Sequence, residues 1–135
     1  MVLGICNFVD GTLCHINFTN MVGNEINDIH LAVLFNIPGV TGIILCVPLT
    51  SPKLKHFKSE EAYINRNYLE TKFFRQHYIK QTDSIALLEQ VKTISINRIE
   101  NYYKDTDGII VTLNEREKEI LRKNLIKYLK YVLYK

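Results

Sequence analysis

The stretch HLAVLFNIPGVTGIILCVPLTS, residues 30–51, decides how the rest of the chain is read. Residues 31–35 form one continuous apolar run, and residues 43–49 form a second. Between them lies NIPGVTG, with one proline and two glycines in seven positions, a strong turn signal. Two short apolar runs joined by such a turn predict an antiparallel hairpin. The lack of alternation within each run predicts strands buried on both faces.

The second run changes character where it ends. After Pro48 come Thr50, Ser51 and Pro52, then Lys53, Lys55, His56 and Lys58. Threonine, serine and proline are ordinary turn residues. A turn does not need four basic side chains directly after it. From position 53 to 80 there are seven Lys and Arg against three Glu, with His56 and His77 among them. The net charge of +3 hides this local basic face, which suits an anionic partner.

With 135 residues, 47% hydrophobic and 23% charged, the chain has the size and composition of one globular domain. Cys6, Cys14 and Cys46 are odd in number, lack a CxxC spacing and sit among apolar neighbours, which predicts buried free thiols. No metal site or other cofactor is expected. The N-terminus lacks the cationic start of a signal peptide, and no run approaches the ~20 apolar residues of a spanning helix. The expectation is a cytoplasmic protein with no membrane partner.

Working outward from the hairpin, residues 2–9 and 12–19 read as strands around the Asp10-Gly11 turn, and residues 20–30 as an Asn-rich loop. The stretch SEEAYINRNYLETKFFRQHYIKQ, residues 59–81, offers Ser59 as an N-cap followed by Glu60 and Glu61. It also alternates aromatic residues as a strand does. It is read as a partly helical insertion leading into a strand. SIALLEQVKTIS (84–95) reads as β, and INRIENYY (96–103) as a short helical turn. At the C-terminus Thr112 and Glu115 suggest a capping box. Leu121, Leu125, Tyr128, Leu129 and Val132 then mark one helical stripe over 112–135, with acidic residues in the first turns and Lys in the last.

Four stretches carry a resemblance. GTLCHINFTNMVGNEINDIH (11–30) resembles the opening of MazF/PemK-type toxins, in which Gly-Ser-Glu is followed, after four residues, by Arg. Here Gly23, Asn24 and Glu25 stand in that order, and His30 occupies the place of the Arg. HLAVLFN (30–36) resembles the family's second strand, CVPLTS (46–51) resembles its third, and SIALLEQVKTISINRI (84–99) is similar to the strand and turn before its C-terminal helix. PLTSPK (48–53) also resembles a segment of ToxN-type toxins.

The resemblance spans residues 11–131 and leaves 1–10 as an N-terminal extension of a single 135-residue domain. It implies a mainly β fold with α (α+β), a small SH3-like barrel closed by a C-terminal helix. It further implies a toxin of a toxin–antitoxin pair, a homodimeric, metal-independent endoribonuclease whose partners are single-stranded RNA and a protein or RNA antitoxin. Such enzymes use the RNA 2′-hydroxyl as nucleophile. The 2′-oxygen proton must be taken up, phosphate charge stabilised and the 5′-oxygen protonated.

On that resemblance the catalytic candidates are His30, Thr50, Ser51 and Lys53. The RNA-binding candidates are Lys55, His56, Lys58, Gln90 and Lys92. His30 departs from the family: it lacks the permanent charge and bidentate fork of Arg, but it can transfer protons near neutral pH. His56 and His77 are spare acid/base candidates. Tyr63, Tyr68, Phe73, Phe74 and Tyr78 are read as core residues in preference to base-stacking ones. The alternative is a non-catalytic RNA- or protein-binding module on the same fold, either a degenerate toxin or a protein like the gyrase inhibitors. The gyrase-inhibiting relatives end in Trp-Gly-Ile, whereas this chain has no Trp and ends in Tyr-Lys.

Overall fold

The computed structural model describes residues 8–21, 27–50, 66–70, 83–105 and 107–134. Seven strands and one long helix make up the regular structure among them. The strands are β1 (Thr12–Asn17), β2 (Ile29–Asn36), β3 (Ile43–Thr50), β4 (Arg66–Glu70), β5 (Asp83–Leu87), β6 (Lys92–Ser95) and β7 (Ile99–Tyr102). The helix, α1, is Glu115–Tyr134. The fold is mainly β with a C-terminal helix, in the α+β class.

The hairpin lies at the centre. β2 and β3 are antiparallel, with Phe35 opposite Leu45 and Ala32 opposite Pro48. Gly39 and Gly42, both at positive φ, lie in the loop between them, as the two glycines of NIPGVTG require. The sheet runs β4-β5-β3-β2-β1-β7, and β6 also pairs with β3. β5 takes the Leu49–Thr50 end of β3, whereas β6 takes residues 43–46. β6 and β7 lie on opposite margins of the β3-β2-β1 group, yet only the 3₁₀ turn Ile96–Arg98 separates them in sequence.

The central strands have apolar neighbours on both faces. Leu13, Val33, Phe35, Val47 and Leu49 join a core completed by Leu88, Val111, Leu113 and Leu121. Cys14, Ile16, Ala32, Leu34, Ile44 and Cys46 face the other way, into a second core with Phe18 and Ile94. Four consecutive buried positions in β2, and four in β3, are the direct record of this arrangement. Cys14 and Cys46 are buried free thiols, each pushed up to about 12 chiefly by burial; Cys6 lies outside the described residues.

The structure corrects several expectations at element ends. The strand expected over 12–19 stops at Asn17, because Asn17 Oδ1 accepts the Thr19 amide and turns the chain. Of the segment 2–9, residues 8 and 9 are described and are not strand, and residues 1–7 lie outside the described set. SIALLEQVKTIS is interrupted by a 3₁₀ turn at Leu88–Gln90. Only Ile96–Arg98 of INRIENYY is helical, and the remainder starts β7, which pairs with β1. β4 lies inside the stretch read as partly helical, while the helix start at Ser59 falls outside the described residues.

The helix cap also differs. Asn114 caps α1: its Oδ1 accepts the Glu117 amide at 2.8 Å, and Glu117 Oε1 accepts the Asn114 amide at 3.0 Å. This is the reciprocal capping box, displaced two residues from Thr112 and Glu115. Thr112 is instead held by a bridge to Thr12. The expected stripe packs through Leu121, Leu125 and Tyr128, whereas Leu129 and Val132 are exposed. The last turn of α1 contains no basic residue.

Gly11, at φ +91°, lets the chain turn into β1 beneath α1; a Cβ there would come within 2.6 Å of the Lys118 side chain. Among the described residues, no helix is long and apolar enough to cross a membrane.

Candidate functional site

His30 is the second residue of β2, opposite Ile16 of β1. Strand alternation puts it on the face of Ala32 and Leu34, at the rim of the second core. Beneath it lies Phe18, the first residue after β1. Phe18 is fully buried, and its backbone amide donates to the Asp28 carbonyl at 2.7 Å. Asp28 and Asn20, both at positive φ, bend the chain on either side of the loop that links β1 to β2. The His30 and Phe18 rings are 6.4 Å apart, tilted by 52°.

Lys92 reaches the same ring on the same face of the sheet, from β6 on the far side of β3. It opens β6 opposite Cys46, and its Nζ lies 5.8 Å from the Phe18 centroid. A cation over an aromatic face at this distance is attracted by ~0.5–2 kcal/mol, according to its desolvation. The Lys92 charge is also felt at Cys46, where it opposes the larger effect of burial on the thiol. An imidazole and an ammonium thus meet one buried ring. Because Phe18 is enclosed, it supports these groups and offers no open face for a nucleobase.

Thr50 ends β3, half-buried and opposite Ile85 of β5. The β2–β3 register ends at Ala32 and Pro48. His30 and Thr50 each lie two residues beyond that pair, at the same end of adjoining strands and on the same face. Gln90, half-buried, closes the 3₁₀ turn that leads into Lys92. Ser51, Lys53, Lys55, His56 and Lys58 lie outside the described residues, as does His77. Of the sequence candidates, the structure brings together His30 and Lys92 through Phe18, with Thr50 on the same face.

The loop at Phe18 is tied down by a residue that the sequence did not single out. Arg98 Nη1 donates to the Asn17 carbonyl at 3.0 Å and to the Thr19 carbonyl at 3.1 Å. Phe18 itself was legible only as an apolar strand residue. On the opposite face of β1, His15 Nδ1 lies 3.0 Å from Asn101 Oδ1, and its ring meets Tyr103 edge-on at 5.5 Å. Asn17 Nδ2 donates to Glu100 Oε1 beside them. Among the described residues, no three His, Cys, Asp or Glu side chains are grouped so as to hold a metal ion. No protein-family model matches the chain, and no curated protein matches it.

Proposed function

We propose that this chain is an endoribonuclease of the MazF/PemK type, the toxin of a toxin–antitoxin pair, acting on single-stranded RNA without a metal. The observation that carries the reading is the meeting of His30 and Lys92 on Phe18, at the end of the sheet where Thr50 also lies. An imidazole supplies proton transfer, an ammonium supplies charge for the phosphate, and a hydroxyl supplies a further donor. The RNA provides its own 2′-oxygen nucleophile. In this reading Ser51 and Lys53, which follow Thr50 in sequence and lie outside the described residues, are assigned to the catalytic set by the resemblance alone.

The topology supports an SH3-like barrel within the mainly β fold. Strands β6-β3-β2-β1-β7 are successive neighbours, and the three-residue turn Ile96–Arg98 draws the two outer members together. The proposed assembly is a homodimer, with an antitoxin as regulatory partner.

The test is incubation of the protein with a defined single-stranded RNA in excess chelator. The expected products carry 2′,3′-cyclic phosphate and 5′-hydroxyl ends. Cleavage that requires added Mg²⁺ would overturn the mechanism. RNA binding with no cleavage under any condition would favour the non-catalytic module.

A further inference from the structure

We infer that Arg98 is a positioning residue for the His30–Phe18–Lys92 cluster, an inference that rests on the nuclease reading for its catalytic consequence. Arg98 ends the 3₁₀ turn between β6 and β7, and one of its nitrogens holds the carbonyls on either side of Phe18. Charge-assisted hydrogen bonds of this type are about twice as strong as neutral ones. Together with the Phe18 amide bond to Asp28, they anchor the Phe18 backbone on both sides and at its own amide.

The anchoring reaches the site because Phe18 is the surface against which the other two groups rest. His30 comes to it from β2 and Lys92 from β6. The turn that carries Arg98 is itself fixed: Ser95 Oγ accepts the Asn97 amide, and the Ile96 amide donates to the Gly42 carbonyl. Arg98 therefore couples a rigid corner of the sheet to the loop under the imidazole. Its Nη1 is committed to the two carbonyls that flank Phe18, so it acts through Phe18.

Both bonds leave from a single nitrogen, which sets up a discriminating pair of variants. Arg98→Met keeps much of the side chain's length and removes every donor. Arg98→Lys keeps a charged multi-proton donor on a slightly shorter stem. The experiment records the NMR shifts of the His30 ring protons, which sense the ring current of Phe18, alongside RNA cleavage.

In Arg98→Met the His30 ring-proton shifts should move and cleavage should fall by ~10²-fold, the scale on which a misplacement of about 1 Å acts. Arg98→Lys should recover a large part of both. Should Arg98→Met fail to fold, Arg98→Gln is compared with Arg98→Lys by the same two readouts. Parent-like His30 shifts in a folded variant without the charged donor overturn the inference, and so do displaced shifts with parent-like cleavage. A parent protein that cuts no RNA overturns the nuclease reading alone, because the ring-proton shifts still decide whether Arg98 positions His30.

Discussion

His30 and Phe18 belong to different strands' ends, yet their rings stand 6.4 Å apart at the rim of one core. The contact gives His30 a fixed support without enclosing it, since His30 is half-buried and Phe18 fully buried. Such a histidine keeps access to solvent and substrate while its orientation is restricted.

Replacing His30 tests the centre of the proposal. General acid–base catalysis is typically worth ~10²–10⁴-fold. His30→Ala should reduce RNA cleavage by at least the lower figure while circular dichroism stays that of the parent. His30→Arg should recover part of the phosphate stabilisation without the proton transfer, because Arg is a permanent cation. Parent-rate cleavage by folded His30→Ala would remove His30 from the mechanism.

Lys92 should behave as a phosphate contact. The affinity of a protein for single-stranded RNA falls with salt by a slope of about 0.7 per phosphate neutralised. Lys92→Ala should weaken binding most at low salt and reduce that slope by about this amount. An unchanged slope, measured by fluorescence anisotropy over a salt series, would rule out a phosphate contact at Lys92.

The cap of α1 offers a test of stability alone. Asn114→Ala removes the side chain that accepts the Glu117 amide and should cost about 1 kcal/mol in denaturant unfolding. Thr112→Ala should cost less, since Thr112 does not cap the helix. A larger loss at Thr112 than at Asn114 would place the helix start where the sequence first suggested it.

Cys14 and Cys46 should resist alkylation at pH 8 in the folded protein, because burial pushes both thiols up to about 12 from 9.0. The sign of the linked stability follows. The folded state prefers the neutral thiols, so their contribution is complete below pH 9 and is lost as pH rises toward 12. Mass spectrometry that found either cysteine modified as fast as in urea would contradict their burial.

The hairpin was legible because its signal is local: two apolar runs too uninterrupted for one-sided strands, joined by glycines at the turn. The ends of elements were less legible because tertiary partners set them. Residues 99–102 look like the continuation of a helical turn, yet β1 offers a free margin and captures them as β7. Asn114 wins the cap from Thr112 because Thr112 lies in a bridge with Thr12, a contact across 100 positions of sequence. His30, Thr50 and Lys92 were found from a resemblance. Phe18 and Arg98 carried no such signal, since a buried aromatic and a lone cation acquire meaning only when the turn and the loop meet.

The two-sided burial of β2 and β3 has a consequence for how the chain finds its native pairing. In an ordinary half-buried strand, a one-residue slip turns the apolar side chains toward water and is rejected on polarity. Here such a slip only exchanges one core for the other, so solvent cannot discriminate against it. The discrimination falls to shape: Ala32, Leu34, Ile44 and Cys46 fill the second core, while Val33, Phe35, Val47 and Leu49 fill the first, and the two sets differ in where their small and large members stand. A mispaired hairpin of this sequence is apolar enough to form and too badly filled to last, so volume substitutions such as Ala32→Leu should hinder folding more than they disturb the surface.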